Sequence, residues 1–150
     1  MKKEWRVVGI TFLFLVFMTA CTAKSQTATY KLKQDDENVT IQNSFKEDTL
    51  FKQTITTIIQ YETMGVKTKS KAENLLKPIK ELYVNKNGLN YSIIFKEKEA
   101  VETIEVDFKL LSQDDAKMLP LISLPDEDLD SASEKMNGEK LTNLGFEKKD

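Results

Sequence analysis

The sequence predicts an α+β domain: an antiparallel sheet of about five strands in the order β-β-β-α-β-β-α-α, with helices packed on one face. Three observations carry this. Segments rich in Thr, Ile, Val and aromatic residues alternate apolar and polar side chains between residues 29 and 61, and again between 89 and 111. A segment with apolar residues at helical spacing, Leu75 to Tyr83, separates the two groups. Two shorter helical patterns close a chain whose 150 residues suit one domain after a leader.

Taken in order, Thr29–Lys33 and Asn38–Phe45 alternate around Gln34-Asp35-Asp36-Glu37 and read as a hairpin. The polar turn Lys46-Glu47-Asp48 leads to a third strand, Leu50–Tyr61, with Phe51, Ile55, Ile59 and Tyr61 on one face. Ser70-Lys71-Ala72-Glu73 fits a capping box, in which serine and glutamate satisfy unpaired N–H groups at a helix start. Leu75, Leu76, Ile79, Leu82 and Tyr83 then share a helical face. Pro78 removes a backbone donor and predicts a kink or break, and the helix should end before Asn87-Gly88.

Leu89–Lys96 and Val101–Leu111 form a second strand pair. In the latter, Ile104, Val106, Phe108 and Leu110 point one way and Thr103, Glu105, Asp107 and Lys109 the other, so one face is buried and one wet. Helical pieces follow over Gln113–Leu119, ended by Pro120, and within Leu129–Leu144. Gly138 weakens the second, and Gly145 can cap it in a left-handed conformation with Phe146 folding back. There is no internal repeat.

Ahead of this domain stand Lys2, Lys3 and Arg6, then an apolar run from Val7 to Met18. This is a secretory signal, because the run is shorter than the roughly 20 residues a membrane span needs. At its end Met18-Thr19-Ala20-Cys21 resembles the lipobox of bacterial lipoproteins, with Met18 where leucine is usual. The resemblance implies a diacylglyceryl group on the Cys21 sulfur and cleavage between Ala20 and Cys21. Cys21 is the single cysteine, so an internal disulfide is impossible and a spare thiol would be a liability in an exported protein. The expected organisation is a signal peptide over residues 1–20, lipidated Cys21 and a flexible tether to Ala28, and the α+β domain over 29–150. The protein should therefore lie on the extracytoplasmic face of a bacterial cell membrane, held by acyl chains. The lysine-rich, histidine-free composition and short signal suit a cell with one membrane, and in a cell with an outer membrane Thr22 lacks the aspartate that commonly retains lipoproteins on the inner one.

Residues 1–20 carry three of the 22 basic and one of the 24 acidic side chains, leaving a net charge of −4 without them. The charges are mixed, so the basic stripe that nucleic-acid binding requires is missing. The chain has no histidine. A Ser-His-Asp triad, a Cys-His pair and the usual zinc ligand sets are thereby excluded, and no cofactor is expected.

Four features are candidates for function. Asp126, Asp128 and Asp130 give the D-x-D-x-D opening of a calcium loop, but Ser131 and Asn137 stand where an EF-hand needs glycine and a bidentate glutamate; a solvated acidic loop is the favoured reading. Glu105 and Asp107 share a strand face with Cβ atoms some 6 to 7 Å apart, which suits side-by-side carboxylates better than the flanking pair of a carboxylate hydrolase. Phe12–Ala20 resembles signal-derived pheromone peptides, although every lipoprotein signal is apolar there. Finally, the exposed sheet face or an edge strand, with Tyr61, Tyr91 and Phe95 as the aromatics nearby, could hold a protein or small ligand. That last reading is favoured: a non-enzymatic binding module.

Several stretches together resemble the YehR-like lipoproteins, a bacterial family with a domain of unknown function. They are Tyr61-Glu62-Thr63-Met64-Gly65-Val66, Ala72 through Ile79, Thr103-Ile104-Glu105-Val106-Asp107-Phe108, Leu119-Pro120 and Gly145-Phe146. The resemblance spans residues 28–148 and implies an α+β fold and a lipid anchor, with no catalytic residues to transfer. Asn137-Gly138 departs from it by interrupting the C-terminal helix.

Overall fold

A computed structural model describes residues 24–34, 37–117 and 133–149. The signal segment with Met18, Thr19, Ala20 and Cys21, and the acidic loop with Asp126, Asp128 and Asp130, lie outside the described residues.

Six described strands form one antiparallel sheet: β1 (Ser25–Gln34), β2 (Glu37–Lys46), β3 (Thr49–Gln60), β4 (Leu89–Phe95), β5 (Glu99–Asp107) and β6 (Glu147–Lys149), in the spatial order β4-β5-β3-β2-β1-β6. The expected strands are all present, and β6 is an addition to the about five expected. It pairs with β1 through Thr29↔Lys149 and Lys31↔Glu147. A further correction concerns the tether. Residues 25–28, expected to be flexible, are the first residues of β1, and Ala28 is buried.

The registers place residues in rows across the sheet. Tyr30, Ile41, Ile55, Ile104 and Tyr91 make one row on the inner face, and Ala28, Asn43, Gln53, Val106 and Leu89 make the next. Alternation at period two fixes this, since a slip of one residue would turn every apolar side chain to water. At the β2–β3 hairpin the register shifts beside Ser44/Phe45, and Leu50 pairs with Phe45. Phe51 is therefore the extra residue and stands half-exposed while Leu50 is buried, which corrects the expected inward placement of Phe51.

Among the described residues three helices cover the inner face: α1 (Lys69–Tyr83), α2 (Gln113–Lys117) and α3 (Glu134–Asn143). The start of α1 lies ahead of the expected capping box: Thr68 is the N-cap and its Oγ1 accepts from the Lys71 N–H. The helix runs through Pro78 without ending, so the expected break is absent. Of the five residues expected on the apolar face only Leu76 and Tyr83 are buried, together with Ala72, whereas Leu75, Ile79 and Leu82 are exposed. After α1 the chain needs Gly88 at φ +81, where a Cβ would stand 2.6 Å from the Leu111 nitrogen.

The C-terminal helix is continuous through Asn137-Gly138. It ends as expected on Gly145 at φ +90, with Phe146 N–H donating to the Leu141 carbonyl and Gly145 N–H to that of Thr142. Phe146 is buried in the main core with Tyr30, Ile41, Ile55, Ile104 and Leu141. A second cluster of Tyr61, Ala72, Leu76 and Ala100 lies under α1.

Candidate interaction edge and its groove

β4 reads Leu-Asn-Tyr-Ser-Ile-Ile-Phe, seven residues without a charge or proline. Its β-branched and aromatic residues favour a strand, and hydrogen bonding to β5 aligns it on one side. Among the described residues its other side meets no strand. Leu89, Tyr91, Ile93 and Phe95 belong to the inner face, and Ile94 on the outer face is 63 % exposed.

Helix geometry shapes what lies beside this edge. Glu73, Lys77 and Lys80 recur at helical spacing on one flank of α1, followed by the extended C-cap residue Val84, next to the buried stripe of Ala72, Leu76 and Tyr83. Between this flank and the strand runs a groove of about 610 Å³, lined on its floor by Leu76, Ile93 and Phe95. Glu73 is paired with Lys69 at 3.8 Å. Lys77 and Lys80 form no ion pair among the described residues.

The strand is braced from beneath. The Tyr91 ring stacks on Tyr83 with centroids 5.2 Å apart and planes 10° from parallel. Its hydroxyl donates to Glu102 Oε1 at 2.8 Å. Burial raises the pKa of Glu102, against the lowering effect of this hydrogen bond. Burial likewise raises the Tyr91 pKa, and donation of its hydroxyl to the nearby Glu102 carboxylate adds to the rise. Thr57 stands opposite Glu102 in the register, and its buried Oγ1 has no hydrogen-bond partner among the described residues. Glu102 was legible as a buried position: the alternation of Ile104 and Val106 extends back to it.

Over β3, β2 and β1 the inner face is closed by α3. Asn43 donates to Asn137 Oδ1, and Gln53 Nε2 donates to Asn43 Oδ1 at 2.8 Å, all three side chains being buried. Gly138 sits over Tyr30, where a Cβ would meet the hydroxyl at 2.7 Å. The Asn137-Gly138 pair is thus the docking point of α3, not an interruption of it. A depression of about 640 Å³ beside α3 is ringed by Asp48, Glu134, Lys135, Glu139 and Lys148.

The remaining sequence candidates separate. Glu105 and Asp107 line a shallow depression of about 320 Å³ with Lys52 and Asn90. Each carboxylate is engaged: Glu105 lies 3.6 Å from Lys52 Nζ, and Asp107 Oδ1 accepts from the Lys109 N–H at 3.0 Å. Tyr61 is buried, its hydroxyl donating to the Lys96 carbonyl at 2.9 Å, and so belongs to the core. Tyr91 and Phe95 alone of the three watched aromatics belong to the candidate edge. Among the described residues no group of three or more carboxylates could hold a metal ion, and no helix is long and apolar enough to cross a membrane.

Comparison with known proteins agrees with this architecture. Residues 26–147 match a family described as a protein of unknown function, DUF1307. The chain is 34 % identical over 144 residues to the uncharacterized lipoprotein Lin0239 of Listeria innocua, covering 96 % of this chain and 94 % of that one. It is 27 % identical over 96 residues to the uncharacterized lipoprotein YehR of Escherichia coli, covering 63 % of each. The NMR structure of E. coli YehR superposes with a TM-score of 0.73 at 21 % identity, over 85 % of this chain and 92 % of that one. An NMR structure from Streptococcus pneumoniae gives a TM-score of 0.58 at 17 % identity, over 99 % and 98 %. These two structures carry the fold alone.

Proposed function

The chain belongs to the DUF1307 family of bacterial lipoproteins of unknown function, and on that premise we propose that it is a non-enzymatic interaction module on the outer face of the cell membrane. Lipid on Cys21 would hold it there. The β4 edge would take an extended segment of a partner polypeptide as an additional strand.

The observation that carries this reading is the chemistry of β4. Natural edge strands are blunted by charge, proline or shortness, because free N–H and C=O groups invite pairing. β4 has none of these defences. Strand addition supplies affinity from the main chain and specificity from the pockets beside it, and here Ile93 and Phe95 floor such a pocket under α1. A second copy fits less well. Two β4 edges paired with both α1 helices on one side would bring Lys77 and Lys80 of each copy towards those of the other, and like charges oppose that approach. A partner segment with apolar side chains and a carboxylate for Lys77 or Lys80 suits the groove.

The non-enzymatic reading rests on the engagement of Glu105 and Asp107 by neighbours on one open face, which leaves no separate acid and base across a cleft.

Photo-crosslinking in the native type of host tests the proposal. Benzoylphenylalanine in place of Ile94 should yield a discrete adduct whose crosslinked peptide is an extended segment, and the same group in place of Lys149 should yield none. Equal adducts at both edges, or none at position 94, would contradict it.

A further inference from the structure

The strand registers show which end of the domain lies nearest Cys21 in the chain. β1 begins at Ser25, four residues after Cys21. A fully extended chain covers about 3.6 Å per residue, so the start of β1 lies within about 14 Å of a lipid carried by Cys21. Ser25 pairs with Lys46, and Lys46 with Thr49, so the β2–β3 turn sits at this same end. Thr27 pairs with Ser44, which faces Lys52 and then Asp107, so the turn that follows β5 sits there too. On that turn Leu110 is 54 % exposed and Lys109 is exposed beside it. The opposite end, with the Lys96–Lys98 turn, lies farther by the nine residue steps of β1, about 30 Å at the rise of a strand.

We propose that the end of the sheet carrying the Lys46–Thr49 and Phe108–Leu110 turns is the membrane face of this protein, with Leu110 entering the headgroup layer and Lys46 and Lys109 meeting lipid phosphates. The inference rests on the reading that Cys21 carries the lipid. The β2–β3 turn also exposes Glu47 and Asp48, so the contact is carried by Leu110 beside Lys109, an apolar side chain next to a cation, which is the chemistry that an interfacial contact uses. A consequence for the groove follows: the strands stand away from the bilayer, so β4 presents its edge sideways along its whole length, and the start of α1 is the outermost part of the groove.

The test uses the full-length lipidated protein in vesicles of phosphatidylglycerol and phosphatidylcholine. With Cys21 acylated no thiol remains, so the unsubstituted protein should resist thiol labelling. If it labels, the anchor reading has failed and the orientation falls with it. If it resists, Leu110→Cys and Glu97→Cys variants are labelled with a fluorophore, and nitroxide-bearing lipids are added. Quenching should be several-fold stronger at position 110 than at position 97. A flexible Gly-Ser insertion after Ala23 should bring the quenching at 110 down towards that at 97. Equal quenching at the two positions, stronger quenching at 97, or an effect at 110 that ignores the insertion would overturn the orientation while leaving the anchor in place.

Discussion

The two edges of the sheet are built from opposite materials. β6 is three residues long and reads Glu-Lys-Lys, every side chain exposed, with Lys148 held by Glu134 at 2.9 Å and Lys149 by Glu147 at 2.6 Å. β4 is seven residues long, uncharged, and bordered by a groove. A short charged edge resists a further strand and a long apolar one admits it. The difference teaches that openness at β4 is not a general looseness of the fold, because the same sheet closes its other margin with a short strand of paired charges, and α3 covers its middle through a buried amide relay.

The closed side should respond most to substitution. Leu141 is fully buried where α3 meets the core, and Leu141→Ala should cost about 3 kcal/mol through lost contacts and the cavity left behind, read as a lower urea midpoint. Asn137→Ala should cost about 2 kcal/mol, since it strips a buried amide of its acceptor. Gly138→Ala should cost about 1 kcal/mol by crowding the Tyr30 hydroxyl, despite the better helix propensity of alanine. The sign should reverse in a Tyr30→Phe background, where the nearest ring atom stands at 3.6 Å. An unchanged sign would mean that the close approach at α3 does not control this edge.

On the open side, Glu102 beneath β4 gives a smaller and pH-dependent effect. Burial raises its folded-state pKa above the ordinary 4.5 of the unfolded chain. The native state is therefore favoured below about pH 4.5, and loses that advantage as pH rises through the folded value. Glu102→Gln keeps an acceptor for the Tyr91 hydroxyl and removes the ionisation, so it should raise the urea midpoint at pH 7 and flatten its decline above pH 4.5. Smallest in stability is Ile94→Lys, within about 0.5 kcal/mol because the side chain is already exposed, yet it should abolish strand capture by giving β4 the charge that β6 carries.

Much of this architecture was legible because strand alternation reports burial directly. The hairpin, the third strand and the β4–β5 pair were each marked by period two, and Gly145-Phe146 marked the end of α3. β6 was not legible, since three charged residues have no period and are ordered only by pairing with β1. Thr68 was not legible as the cap because Ser70-Lys71-Ala72-Glu73 offers a second capping pattern two residues on, whereas the folded chain uses the Thr68 hydroxyl to accept from the Lys71 N–H. The role of Asn137-Gly138 depended on Asn43, 94 residues away, and no local rule could reveal it. Of the candidate edge, Tyr91 and Phe95 were read from their strand, whereas Lys77 and Lys80 became groove residues only once α1 lay beside β4.

The most direct test of the open edge is amide hydrogen exchange over residues 89–95 and 147–149, comparing the lipidated protein in its native envelope with the purified unlipidated domain. The account predicts that alternate N–H groups of β4 exchange more slowly in the envelope, with β6 unchanged. Identical exchange across β4 in the two settings would contradict the claim that this edge receives a strand.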